Sequence, residues 1–184
     1  MKKADDFDDL MIVQEIVSGQ KELFRLLMNR YKKAVYSIGW SFLHNADDAS
    51  DFSQEVFLKV FRNLPLFEGR ARFSTWLYQI AYNTAINSSQ RKKEYQSLAE
   101  EDVFVAEGTP EQSTLKEALR QAVRQAVAEL PERYRVCIDL CFFYERSYQE
   151  IALITGFPVS TIKSHVLRAK KMLRVQLADF MEEF

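Results

Sequence analysis

Five cations, Lys163, Arg168, Lys170, Lys171 and Arg174, fall in a stretch from Val159 to Gln176 that holds no acidic residue. Between them Ile162, Val166, Ala169 and Leu173 recur at helical spacing, which predicts a helix with an apolar face inward and cationic groups outward. Such a face suits phosphate neutralisation and contact with base edges. A shorter helix is predicted just before it. Ser147 and Glu150 have the spacing of a capping box, and Ile151, Ala152 and Ile154 supply its buried side. Gly156-Phe157-Pro158 then breaks it, because glycine tolerates the turn and proline cannot continue the hydrogen-bond ladder. Arg146 to Arg174 therefore reads as a helix-turn-helix with a basic recognition helix. An ordinary helical hairpin with a solvated cationic face is the alternative that these residues leave open.

Bond-making chemistry finds little support. Cys137 and Cys141 stand four apart in an apolar run and read as small buried hydrophobes rather than a metal site or disulfide. His44 and His165 are far apart and offer no ligand spacing. There is no glycine-rich phosphate loop and no Ser/His/Asp or Cys/His set. No catalytic residue, metal or cofactor is expected, and the chain does not read as an enzyme.

At 184 residues, with 47% hydrophobic and 13% aromatic residues, the chain has material for one domain or two small ones. Only 5 Gly and 4 Pro favour long helices over a turn-rich β fold. The net charge of −1 hides an uneven distribution. Arg62 to Lys93 carries six basic residues against one acid, whereas Gln96 to Glu129 carries three basic and seven acidic ones. The amino terminus is acidic and no apolar run approaches membrane-spanning length, so a cytoplasmic protein is expected.

Elements that would position these groups follow along the chain. Asp5 to Val17 is predicted as a short helix, ended at Ser18-Gly19. Lys21 to Leu43 carries an apolar stripe through Leu23, Leu27, Tyr31, Ala34, Val35, Ile38 and Phe42. Asp47 is the expected N-cap of the next helix, which buries Phe52, Val56 and Val60. That helix sets Asp51, Gln54, Glu55 and Leu58 in one stripe, either a solvated face or a protein-docking face. Pro65 ends it, and a loop with Phe67, Arg70 and Arg72 follows. Phe73, Trp76, Leu77, Ile80, Ala81 and Thr84 then form a core stripe. Tyr78, Gln79, Tyr82, Asn83, Asn87 and Gln90 are expected to point away from it, closing on Arg91-Lys92-Lys93. Aromatic and amide groups beside cations are what single-strand binders use. Residues 94–110 read as a flexible acidic linker, and Thr109-Pro110-Glu111-Gln112 opens another helix. Its stripe runs from Leu115 to Leu130, and Pro131 starts a helix through Phe143. The expected architecture is all-α: a helical domain over 1–93, the linker, and a second helical domain over 111–184.

Two strings, Asp47-Asp48-Ala49-Ser50-Asp51-Phe52-Ser53-Gln54-Glu55-Val56-Phe57 and Phe73-Ser74-Thr75-Trp76-Leu77-Tyr78-Gln79-Ile80-Ala81-Tyr82-Asn83, resemble region 2 of the extracytoplasmic-function (ECF) sigma factors. Leu130-Pro131 through the helix-turn-helix resembles their region 4. The resemblance covers nearly the whole chain and implies a promoter-specificity subunit of bacterial RNA polymerase. It implies that Asp51, Gln54, Glu55 and Leu58 bind core polymerase at the β′ clamp helices, and that the β flap of the polymerase is a further partner of the chain. By the same resemblance, Phe67, Arg70, Arg72, Tyr78, Asn83, Asn87, Arg91 and Lys92 would read and melt −10 DNA. Thr161, Lys163, Ser164, Leu167 and Arg168 would meet −35 DNA in the major groove, and the linker would thread toward the RNA exit path. His165 stands where many members have arginine, which puts one phosphate contact in question. Many members are held by an anti-sigma factor, a possible further partner. The competing assignment is a stand-alone helix-turn-helix regulator, which would need neither the Asp51-Gln54-Glu55 face nor the Arg91-Lys92-Lys93 cluster.

Overall fold

The computed structural model describes the backbone of residues 4–96 and 115–178 and the side chains of 9–88 and 119–178. These residues hold helices and no strand, and the chain divides into two compact units, Met1–Glu100 and Glu101–Phe184. The expected linker and the helix start at Thr109 lie outside the described residues for the most part.

The first unit contains α1 (Ala4–Val17), α2 (Phe24–Leu43), α3 (Ala46–Asn63) and α4 (Phe73–Gln96), with 3-10 turns at Lys21–Leu23 and Leu64–Leu66. Leu27, Val35 and Ile38 of α2 meet Ala49, Phe52, Val56 and Val60 of α3 and Leu77, Ala81 and Ala85 of α4, all buried. Gly39 lets α2 and α3 approach closely: a Cβ there would lie 2.5 Å from Phe52 Cδ1. The turn between these helices corrects one expectation. Asn45, not Asp47, is the N-cap of α3, its side chain accepting from the backbone N–H of Asp47 at 2.9 Å and of Asp48 at 3.0 Å. His44 is left-handed at φ 52° and closes α2, which leaves Asn45 extended and able to reach forward.

A second correction concerns α4. Phe73, Leu77, Ala81 and Thr84 are buried as expected, but so are Tyr78 and Tyr82, at 4% and 1% exposure. Trp76 and Ile80 are only half-buried. Because α4 packs on α1, α2 and α3 together, it buries an arc wider than a single stripe, and the tyrosines fall inside that arc.

The second unit contains α5 (Leu115–Ala128), α6 (Glu132–Ile138), α7 (Tyr148–Thr155) and α8 (Val159–Gln176). The helix expected from Pro131 to Phe143 changes register. After Ile138 it continues as a π-helical turn over Asp139–Phe143, capped by Tyr144 and followed by the left-handed Glu145 at φ 50°. The helix-turn-helix forms as expected. Ser147 Oγ accepts from Glu150 N at 3.2 Å while Ser147 N donates to Glu150 Oε2 at 3.0 Å. Gly156, left-handed at φ 75°, closes α7. Ile162, Val166 and Ala169 seat α8 on the rest of the unit.

Candidate nucleic-acid interface

On α8, Lys163, Ser164, Leu167 and Arg168 are exposed and Thr161 is half-buried. Leu167 is 59% exposed, a large apolar side chain held toward solvent beside cations, as a contact to a thymine methyl would need. Ser164 Oγ donates to the Ser160 carbonyl at 3.1 Å. Lys170 lies over the Phe142 ring, 4.8 Å from its centroid.

His165 faces the interior instead. Its ring meets Tyr134 at 5.2 Å and Phe157 at 5.5 Å, both edge-on, and its Nδ1 stands 3.8 Å from Cys137 Sγ. Burial first, and then Arg133 and Arg168, push its pKa below the ordinary imidazole value, which favours the neutral ring near pH 7. It is a packing residue. Sequence reasoning missed Tyr134. Its hydroxyl hydrogen-bonds with Arg168, and that contact leads the causes that lower the phenol's pKa. Arg133 stands over its ring at 5.0 Å. Cys137 is buried and Cys141 half-buried, both free; burial pushes the Cys137 thiol up to about 11.

In the first unit, Phe67 is half-buried and packs on Phe73 at 5.7 Å and on Trp76 at 5.2 Å. Arg70 is exposed and paired with Glu68. Arg72 is half-buried, and its carbonyl accepts from Thr75 N and Trp76 N, starting α4. Asn83 and Asn87 are exposed on one face of α4. Tyr78 is not on that face: it lies in the core, edge-on to Tyr31 at 6.5 Å, and leaves the set of outward residues. Arg91 and Lys92 fall in the last turns of α4, with side chains outside the described residues.

On α3, Asp51, Gln54, Glu55 and Leu58 are all exposed. Glu55 pairs with Lys59 at 2.7 Å, a screened surface contact of little energetic weight. Gln54 and Leu58 border a groove of 670 Å³ between α2 and α3, floored by Phe24, Phe57 and Phe61. It adjoins a second groove of 440 Å³ at Gln54 and Phe57, edged by Met28, Lys32, Lys33 and Tyr36. The α2 side of this surface was invisible to the stripe pattern, because only the pairing of α2 with α3 creates it. Among the described residues no cluster of His, Cys, Asp and Glu is arranged to hold a metal, and no helix is long and apolar enough to cross a membrane.

Residues 27–95 match the family Sigma-70 region 2, and residues 120–173 match Sigma-70, region 4. The RNA polymerase sigma-H factor of Pseudomonas aeruginosa is 32% identical over 186 residues, covering 95% of this chain and 96% of its own. ECF RNA polymerase sigma factor SigW of Bacillus subtilis is 32% identical, covering 91% of this chain and 95% of its own. The sigma factor RpoE of Bartonella quintana, solved in complex with the anti-sigma factor NepR, matches with a TM-score of 0.69 at 26% identity. That match covers 84% of this chain and 96% of RpoE.

Proposed function

This chain belongs to the ECF sigma factors of the sigma-70 family, and from that premise we propose how its surfaces divide the work. It is an alternative sigma factor that directs transcription initiation. We assign Asp51, Gln54, Glu55 and Leu58, with the groove beside them, to docking on core RNA polymerase through the β′ clamp helices. Phe67, Arg70, Arg72, Asn83 and Asn87, continued by Arg91 and Lys92, would take the −10 strand, stacking bases on aromatic faces and neutralising phosphates. Thr161, Lys163, Ser164, Leu167 and Arg168 would read −35 duplex. An anti-sigma partner is proposed by likeness to RpoE, which was solved with one. The observation that carries the assignment is the exposed apolar groove at Gln54 and Leu58. A stand-alone DNA-binding regulator has no use for the exposed Asp51-Gln54-Glu55 face beside it or for the Arg91-Lys92-Lys93 cluster.

Gel filtration of the full chain with core polymerase, followed by transcription of a promoter library, tests the reading. A stable complex that initiates at selected sequences is expected. Free protein that ignores core polymerase but binds duplex tightly would sink it. Gln54→Ala is expected to weaken core binding by about 1 kcal/mol, the ordinary threshold for an interface anchor, with no change in helicity. Arg168→Ala should cost roughly 1–3 kcal/mol of base discrimination, confined to one −35 position. Loss spread evenly over all positions would instead mark Arg168 as a phosphate contact.

A further inference from the structure

Helix α1 carries none of the groups assigned above, yet it is tied to the loop that carries several of them. Asp9 is wholly buried, with 1% of its side chain exposed, and accepts from both the Arg30 guanidinium and the Tyr31 hydroxyl. Burying a carboxylate is costly unless it is paired, so its presence needs a reason. Tyr31 leads to one. Its ring packs on Phe73, centroid to centroid 5.7 Å, and Phe73 packs edge-on against Phe67 at 5.7 Å. Phe67 in turn leans on Trp76 at 5.2 Å. The neighbouring residue of α1 lies beside the same loop: a Cβ on Gly69 would stand 3.4 Å from Leu10 Cδ1. Gly69 is left-handed at φ 70°, so the loop's turn is made where α1 lies beside it.

We propose that α1 is a brace for the loop 67–72, with Asp9, acting through Tyr31, and Leu10 as positioning residues that set where Phe67, Arg70 and Arg72 meet −10 DNA. The proposal rests on the assignment of that loop to the −10 element. Two independent lines converge on one loop from adjacent residues of one helix, a hydrogen-bonded aromatic chain and the close approach of Leu10 to Gly69. Burial, and then the bond to Asp9, raise the Tyr31 pKa well above that of a free phenol, so the hydroxyl remains a donor throughout the physiological range. A side chain held by packed rings loses little entropy when a base stacks on it, and displacement by about an ångström costs a site much of its discrimination.

The test uses the full chain reconstituted with core polymerase and a duplex library randomised over both promoter elements, with the transcripts sequenced. Tyr31→Phe removes only the hydroxyl and leaves the rings; Leu10→Ala removes the side chain beside Gly69. Both variants are expected to keep wild-type core affinity and −35 preference while losing discrimination at −10 by roughly tenfold. An unchanged −10 preference in either variant overturns the brace. So does a loss shared equally by core affinity, −35 and −10, which would mean a merely structural role. A wild-type chain that selects a −35 sequence but no −10 sequence would overturn the loop assignment beneath it, which the variants alone cannot do.

Discussion

Asp9→Ala is expected to lower the stability of the first unit by about 3 kcal/mol, enough to move its melting temperature by on the order of 15 °C. Removing one partner of a buried polar cluster leaves the others desolvated, and that penalty exceeds the modest net value of the bonds themselves. The Arg30 side chain is 31% exposed and can turn to water. Tyr31 is held by Phe73 and Tyr78 and has less freedom to follow. The estimate therefore sits at the low end for a broken buried pair. Both tryptophans, Trp40 and Trp76, lie in the first unit, so urea unfolding of the full chain followed by their fluorescence reports this unit alone. An unchanged midpoint would mean that α1 is not stapled to α2 through Asp9. Asp9→Asn, which retains an acceptor, should fall between the two.

The second unit is expected to lose stability as pH rises from 4 to 7, the reverse of ordinary acid denaturation. Burial pushes the Asp139 carboxyl up to about 7 against the opposing pull of Arg135. The folded state then holds a proton that the unfolded chain, with an ordinary carboxyl, has released. Stability from this group is complete below pH 4 and is lost as pH climbs through about 7. Each tenfold difference in proton affinity is worth about 1.4 kcal/mol, so the whole difference would be about 4 kcal/mol. Because Asp139 keeps some exposure, about 2 kcal/mol is the expected loss. Amide exchange of α6 and α8 at pH 5 and pH 8 measures it. Asp139→Asn should flatten the profile, and a slope that survives this substitution would assign the effect to another group.

What could be read from residue order was whatever is local. The Ser147–Glu150 box, the Gly156 stop and the Ile162-Val166-Ala169 stripe each depend on side chains within one or two turns, and all stand in the structure. Asn45 and Asp47 are both competent caps, and the choice rests on where His44 turns the chain. Tyr78 and Tyr82 were misplaced because period alone does not say how many helices surround α4. The paired surface of Gln54 and Leu58 with Met28 and Phe24, like the approach of Leu10 to Gly69, joins residues distant in the chain. No spacing rule reports it. The π turn was missed for a related reason, since one extra residue hardly disturbs a windowed periodicity.

That turn makes residue count in this segment a matter of angular phase. An α-helix advances about 100° per residue, and the wider Asp139–Phe143 turn inserts one residue's worth of lag before the chain leaves α6. Arg146 N then donates to the Leu140 carbonyl at 2.8 Å, anchoring the exit to the turn itself. The azimuth at which α7 departs thus depends on an integer as well as on the packing of α8 against α5, α6 and α7. A residue added or removed between Ile138 and Ser147 would set that departure angle against the face on which Ile162, Val166 and Ala169 seat α8, so the length of this segment is constrained although its side chains need not be.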